Sequence, residues 1–470
     1  MNKDILKGKK HIHFIGIGGS GMYPLAQILH SQGYYLTGSD NNETETLEAV
    51  RKMGIPVFLG QRAENIEGAD LIVHTAAIMA DNPELIAAKA SGVPVLERSE
   101  LLGIVTSWYS NAICISGTHG KTTTTSMTAQ ILWTADVDLS AFIGGKLPCI
   151  GGSGRAGKSD IMVCESCEFV DTFLKLYPDV AVILNIDEDH LDYFKNLENI
   201  IKSFHKFAQM ATKALIINGD DENTLRAVNG IEGKEIITFG LDPKNDYYAE
   251  NITRVSGMET EYTLMHKGDA LGKITLHVAG MHNVLNSLAA AAASFYAGVS
   301  FENIRKGLCD FRGAGRRFEL IGKAKGVTIV DDYAHHPTEL SVTLEAAVNM
   351  GYKRVWAVFQ PFTFSRTALL LDDFAKALSI PDIAVLTDIM GSREKNTYNI
   401  FAEDLAAKID GCVCFPQDRN AEYTDERKYR NFDDVCNYVC ENAQEGDLVI
   451  TLGCGDVYKV AKMIYKKLGQ

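Results

Sequence analysis

No stretch of the sequence is both long and apolar enough to cross a bilayer. The most apolar segment, Ala289 to Val299, is short, alanine-rich and set in a helical context. Met1 to Lys10 holds no apolar run of signal-peptide length. A cytoplasmic protein with no membrane partner is therefore expected. Positive charge is also in short supply: 46 Lys and Arg stand against 60 Asp and Glu, a formal charge of −14. That argues against nonspecific nucleic-acid binding through a basic face, while leaving room for a phosphate held by a few local cations. Paired Cys-x-x-Cys units are missing too. Cys164 and Cys167 form one such unit at the end of an apolar run, and Cys436 and Cys440 have no nearby His to complete a metal set. Reduced, mostly buried thiols are the expectation for all ten cysteines. Internal repeats, low-complexity tracts and obvious flexible linkers are absent as well.

What is present points to a large soluble globular protein. The 470 residues exceed what one hydrophobic core can organise, and 46% apolar with 23% charged residues is ordinary for a globular protein. The chain reads as three successive runs of buried strand, Gly-rich or polar turn, and helix, the pattern of parallel α/β sheets. The first run holds strands at His11–Ile15, Tyr34–Thr37 and Leu71–Val73. The second holds strands at Ala112–Ser116, Asp160–Cys164 and Val180–Leu184, with a helix over Thr123–Leu132. The third holds strands at Val327–Val330, Arg354–Phe359, Ile383–Leu386 and Leu448–Leu452. Breaks near residues 108 and 315 divide the chain into 1–107, 108–314 and 315–470.

Gly117-Thr-His-Gly-Lys-Thr122 is the most informative segment. A strand feeding a glycine loop and then a helix directs backbone N–H groups at an anion. Lys121 adds a charge for the outer phosphates, and the Thr122 hydroxyl can ligate Mg²⁺. The usual pattern wants Gly at position 115, where this chain has Ile115. Four consecutive threonines after the Gly-Lys pair still favour phosphate binding over an incidental helix start. Glu165 and the segment Asn185-Ile-Asp-Glu-Asp-His190 follow strands of the same run, so they emerge at the same sheet edge as the loop. Their oxygen and imidazole groups suit the divalent ions that accompany ATP.

Gly16-x-Gly18-x-x-Gly21 with Asp40 downstream obeys the dinucleotide fingerprint, but that pattern does not separate NAD from a UDP-sugar. An NAD-dependent oxidoreductase and a nucleotide-switch NTPase are the competing classes. The first leaves Gly117–Thr122 unexplained, and the second leaves the first domain without a purpose. In the last third, Arg316 and Arg317 suit a phosphate, and Asp331-Asp-Tyr-Ala-His-His-Pro337 lies between a strand and a helix.

Taken together, these segments resemble the Mur ligase family over essentially the whole chain. The stretches that carry the resemblance are Gly16–Gly21, Gly117–Thr122, Glu165–Glu168, Asn185–Asp192, Gly280–Asn286, Gly315–Glu319, Asp331–Glu339 and Phe359–Thr367. His119 resembles the branch that adds L-alanine, where sister branches tend to carry Asn, and Gly18-Gly-Ser-Gly-Met22 is similar to that branch more than to the one that adds a tripeptide. The resemblance implies three α/β domains: a Rossmann-like N-terminal domain, a central P-loop-type ATPase domain with a mostly parallel sheet, and a Rossmann-like C-terminal domain for the amino acid. It implies ATP with Mg²⁺ or Mn²⁺, and L-alanine joined to the lactyl carboxylate of UDP-N-acetylmuramate through an acyl phosphate, by a monomer or homodimer.

By position, Gly117, Thr118, His119, Gly120, Lys121, Thr122, Thr123, His282, Asn283, Asn286 and Arg316 would hold ATP. Thr122, Glu165 and His190 would hold metal. Gly18, Gly19, Ser20, Gly21, Asp40, His74, Thr75, Ala76, Arg98, Arg317, Asp332, Tyr333 and His336 would contact the other substrates. Lys121, Glu165, His190, His335 and Arg366 would act in catalysis. The chain departs from many relatives at Cys167, where Asp is common, at Phe362 and Thr363, where His and then Arg or Thr are common, and at Cys454, where Ala is common.

Overall fold

The computed structural model describes residues 3–256, 259–278, 280–391, 394–415 and 431–470. Among them three α/β domains stand out, each built on its own sheet. The first sheet runs Val57–Leu59, Tyr35–Asp40, His11–Ile15, Leu71–His74, Val95–Glu97 and is parallel throughout. Strand order reverses beside the central strand His11–Ile15, so the loop that follows it, Gly16–Gly21, opens at a topological switch point.

The second sheet has ten strands, in the order Asp269–Leu276, Glu259–His266, Tyr247–Ser256, Glu235–Gly240, Ala214–Asn218, Val180–Ile183, Asn111–Ser116, Ile161–Glu165, Ser140–Leu147, Gly152–Arg155. Its middle is parallel, as expected. Antiparallel hairpins at both margins are additions to that expectation. One of them turns at Lys267-Gly268, where both residues have positive φ (49° and 94°) and close a tight two-residue loop.

The third sheet runs Glu319–Ala324, Val327–Asp332, Leu448–Leu452, Val355–Phe359, Ile383–Leu386, Val413–Cys414, with only the first strand antiparallel. Alternating residues feed two cores. Ala357 and Phe359 pack with Leu340, Leu344 and Phe374 on one face, and Trp356 and Val358 with Val460 and Ile464 on the other.

By its contacts the chain forms two compact units, the first drawn mainly from residues before 315 and the second from Gly315–Gln470. In the first unit an apolar core joins Phe14, Leu25 and Ile28 to Phe173, Phe204 and Phe207. Phe173 stacks on Phe207 at 4.7 Å, and burial of each such ring contributes roughly 1.5–3 kcal/mol. The opposite face of the first sheet carries a buried polar chain. His13 Nε2 lies 2.6 Å from Glu84 Oε1, His13 Nδ1 2.8 Å from Thr37 Oγ1, and the Ser39 hydroxyl donates to Glu84 Oε2 at 2.7 Å. His13 and Glu84 are both fully buried. At 2.6 Å the His13 Nε2–H donates to the Glu84 carboxyl, so each buried group is the other's partner.

Several elements run further than their apolar cores suggest. Tyr35–Asp40 continues through Gly38, and Val327–Asp332 takes in both aspartates because ladder partners reach Thr451 and Leu452. The helix expected from Thr123 begins at Lys121 and runs to Thr134.

Candidate active site

The strand Asn111–Ser116, the loop and the helix Lys121–Thr134 build a phosphate cradle. Gly120 caps the helix at φ 85°, and a Cβ there would collide with Asn286 Oδ1, so only glycine fits. Asn185, at the end of the neighbouring strand, clamps the loop: the His119 N–H donates to its Oδ1 at 2.8 Å and its Nδ2 donates to the His119 carbonyl at 3.1 Å. Thr118 Oγ1 accepts the Asp187 N–H at 2.9 Å. Thr123 occupies the first helical turn beside Thr122.

Lys121 Nζ donates to the carbonyls of Gly117 (2.5 Å) and Thr118 (3.0 Å) and to Glu168 Oε1 (3.0 Å). Burial opposes its charge, but Glu168, Cys167 and Glu165 outweigh that and raise its pKa. The Thr122 hydroxyl donates to Glu165 Oε1 at 2.8 Å, and Glu165 Oε2 accepts the Gly144 N–H at 2.6 Å.

The three residues expected to hold metal are distributed over two groups. Thr122 and Glu165 are bonded to each other, whereas His190 gathers with Glu168 and Asp189, their ligand atoms within 4.8 Å of one another. Phe169 lies against the His190 ring at 4.5 Å. Val170, Asp171 and His190 all adopt positive φ (52°, 55° and 51°). For a β-branched residue such as Val170 that is a strained conformation, of the kind that clusters at functional sites. Carboxylates with one imidazole suit a hard divalent cation. Glu168 fits the same purpose: it is 2% exposed, and its Oε2 lies 2.9 Å from the Lys121 ammonium without a hydrogen bond.

Sequence reasoning did not single out Glu168 or Asn185 as site residues. Glu168 sits three residues past Glu165 with no spacing rule to mark it, while Asn185 at a strand terminus offered a weak signal. His282, Asn283 and Asn286 lie in the helix Met281–Tyr296. Asn286 Nδ2 donates to Asn283 Oδ1 at 3.1 Å beside Gly120, and burial, helped by nearby His119, lowers the His282 pKa.

The first domain gathers a second glycine loop. Gly16 has φ 84°, and a Cβ there would stand 2.7 Å from Thr75 Cγ2. The Gly18 N–H donates to Asp40 Oδ2 at 3.0 Å, and the Gly19 N–H to the Gly16 carbonyl at 3.1 Å. Arg98 lies against Gly21 and 5.9 Å from the Phe142 ring. His74 Nδ1 donates to the Thr75 carbonyl at 3.1 Å, and Ser20 and Ala76 are exposed. The sugar-site candidates thus converge here, except those from the last third.

In the second unit, Arg316 donates from Nε to Asp331 Oδ2 at 3.0 Å and from its Nη atoms to the carbonyls of Gly453 and Cys454. Its guanidinium lies 4.9 Å from the rings of both Tyr333 and Tyr458, and Arg317 lies 5.3 Å from Tyr333. At least three N–H groups of Arg316 therefore serve the fold, although phosphate binding was expected of it. Burial lifts the Asp331 carboxyl to about 6, against the pull of Arg316 and Thr451. Asp332 accepts the N–H groups of Phe318 (2.7 Å) and Ala334 (2.8 Å).

His335 Nδ1 donates to the Tyr333 carbonyl at 3.0 Å and lies 3.2 Å from Glu339. Burial works against the Glu339 charge, yet His335 and Arg317 hold its carboxyl well below the usual range. His336, expected to meet substrate, caps the helix Pro337–Val348. Arg366 has a buried Nη1 with no hydrogen-bond partner among the described residues.

Comparison with known proteins agrees along the whole chain. Family models described as "Mur ligase family, catalytic domain", "Mur ligase middle domain" and "Mur ligase, glutamate ligase domain" match residues 11–109, 115–294 and 316–455. A UDP-N-acetylmuramate–L-alanine ligase of Caldanaerobacter subterraneus subsp. tengcongensis is 42% identical over 464 residues, covering 98% of each chain. That of Agathobacter rectalis is 45% identical over 460 residues, covering 97% of this chain and 98% of the relative. The crystal structure of the UDP-N-acetylmuramate-alanine ligase MurC from Thermotoga maritima superimposes with a TM-score of 0.80 at 27% identity, covering 98% of this chain and 99% of that one. Three domain matches in order, with relatives similar from end to end, establish that the chain belongs to the Mur ligase family.

Proposed function

We propose that this chain joins L-alanine to the lactyl carboxylate of UDP-N-acetylmuramate at the expense of ATP, a step in building peptidoglycan precursors. The observation that carries the reading is one strand edge that holds a phosphate loop with its lysine, the Thr122–Glu165 pair and the Glu168–Asp189–His190 group. Near full-length identity of 42–45% to relatives named for that reaction supports the substrates. Among the described residues no helix is long and apolar enough to cross a membrane, and we assign the work to the cytoplasm. Residues 1–107, 108–314 and 315–470 are the proposed sugar, ATP and amino-acid domains, in a monomer or homodimer.

A carboxylate resists an amine because it is anionic and would have to expel oxide. Transfer of the γ-phosphoryl of ATP to that carboxylate gives an acyl phosphate, which the amino group of L-alanine attacks, and phosphate leaves. The protein's part is positioning and charge neutralisation. Lys121 and the loop N–H groups hold the phosphates, with His282, Asn283 and Asn286 beside them. Divalent ions, Mg²⁺ or Mn²⁺, would supply further neutralisation, held by Thr122 with Glu165 and by His190 in its own group. Gly18–Gly21 and Arg98 form the sugar-nucleotide cradle, and Arg366, whose buried Nη1 has no partner among the described residues, is the candidate for the alanine carboxylate.

The test is phosphate release from ATP with UDP-N-acetylmuramate and, in parallel, L-alanine, L-alanyl-D-glutamyl-diaminopimelate or no acceptor. Release that requires both the sugar nucleotide and L-alanine is expected. Release only with the tripeptide reassigns the acceptor, and release without the sugar removes the ligase reading.

A further inference from the structure

An ammonium has three N–H groups, and in Lys121 all three are engaged by the protein itself: two by loop carbonyls, one by Glu168. A phosphate oxygen can therefore be accepted only if one contact is given up. The carbonyls of Gly117 and Thr118 belong to the loop backbone and cannot turn away without moving the loop. Glu168 is the contact that another anion replaces charge for charge. Released alone, however, its buried carboxylate would have lost its counter-charge, which is strongly disfavoured. The next groups within reach are Asp189 and His190, which with Glu168 form an oxygen-and-imidazole set within 4.8 Å. His190 is held there by Phe169 on one side and by the Asp189 carboxylate, 3.7 Å away, on the other.

We propose that Glu168 is an exchange carboxylate, neutralising Lys121 until a polyphosphate takes that ammonium and then turning to a divalent cation beside Asp189 and His190. The inference rests on the ATP-binding reading of this loop and adds to it a coupling. Cation and nucleotide favour each other's binding through one side chain, by equal factors in either order. A carboxylate that was only a metal ligand would give no such coupling when metal is absent. Glu168 should then oppose metal-free ATP and support metal-loaded ATP, a reversal of sign at a single residue.

Calorimetric titration of ATP into the full chain, with excess EDTA and then with Mg²⁺, tests this in wild type and Glu168→Gln. The glutamine keeps a neutral acceptor for Lys121, and thermal unfolding checks that the variant is folded. Without metal, Glu168→Gln is expected to bind ATP about tenfold more tightly, equivalent to roughly 1.4 kcal/mol. With Mg²⁺ it is expected to bind more weakly than wild type. Asp189→Asn should weaken only the Mg²⁺ arm. Metal-free affinity that is equal to or below wild type in folded Glu168→Gln overturns the proposal.

If that variant does not fold, Mn²⁺ binding to nucleotide-free Lys121→Met, followed by electron paramagnetic resonance, decides instead. Tighter Mn²⁺ binding supports the exchange, and equal or weaker binding overturns it. Sugar-dependent ligation by wild type is measured separately. If ligation is present while these titrations fail, the exchange alone falls, whereas absent ligation removes the functional reading and leaves the titrations standing.

Discussion

Two glycine loops in this chain share an architecture and differ in the sign of the charge that touches them. Gly16–Gly21 and Gly117–Gly120 each follow a buried parallel strand and precede a helix. At the first, the Asp40 carboxylate takes the Gly18 N–H; at the second, the Lys121 ammonium takes two loop carbonyls. A carboxylate beside backbone N–H groups takes one of those donors and offers an acceptor to a ligand's hydroxyl groups. An ammonium attracts a phosphate. Glycine spacing alone thus reports loop geometry, and the charged neighbour reports how the loop treats a ligand. A third loop, Gly453–Gly455, is held by Arg316, which is locked to Asp331 and two carbonyls.

Breaking the locked case should have the largest effect. Arg316→Met leaves buried Asp331 without its cation and is expected to cost roughly 3–5 kcal/mol in denaturant unfolding. Asp331 also gives that loss a pH dependence. Its folded value of about 6 lies above its ordinary 3.8, so the folded chain binds this proton more tightly than the unfolded one. The resulting stability is full below about pH 4 and disappears as pH rises to about 6. The Arg316→Met loss should accordingly be greater at pH 8 than at pH 5, and equal losses would place the penalty outside this pair.

Next comes the exchangeable case. Lys121→Ala is expected to fold, by circular dichroism, yet lose at least a hundredfold in turnover, on the order of 3 kcal/mol of transition-state stabilisation. Near-normal turnover in a folded variant would refute the assigned role. Gly120→Ala and Gly16→Ala should then separate the two cradles. Each places a side chain at positive φ against a neighbour, a strain of about 1–2 kcal/mol, so roughly tenfold in affinity. The first should raise the KM for ATP, the second that for UDP-N-acetylmuramate, and a shared effect on one ligand would merge the sites. Asp40→Asn should matter least. It keeps an acceptor for the Gly18 N–H, so thermal unfolding should shift by no more than about 0.5 kcal/mol. A larger loss would mean that the charge, and not the acceptor, shapes the loop.

Much of this was legible in the residues because short-range physics sets it. Apolar runs such as Ile383–Leu386 and Leu448–Leu452 are buried on both faces and coincide with their strands. The phosphate loop announces itself through a strand, two glycines and a lysine in six positions. Pairings between distant residues announce nothing. Glu168 meets Lys121 across 47 positions, and His13 meets Glu84 across 71. The marginal hairpins were missed although Glu261–Leu264 alternates polar and apolar residues shortly before a Lys-Gly turn. The role of His336 as a helix cap was hidden because a capping histidine and a substrate-facing one look alike in sequence.

The buried hydrogen bond between His13 and Glu84 carries a consequence for descent. Either residue altered alone leaves its partner's hydrogen-bonding group stranded in the interior, so the first step away from the pair is penalised whichever side moves first. Replacement of both together moves that cost to the Ser39 hydroxyl alone, which loses Glu84 as its acceptor. The two positions should therefore drift through lineages as one inherited character, kept together or lost together.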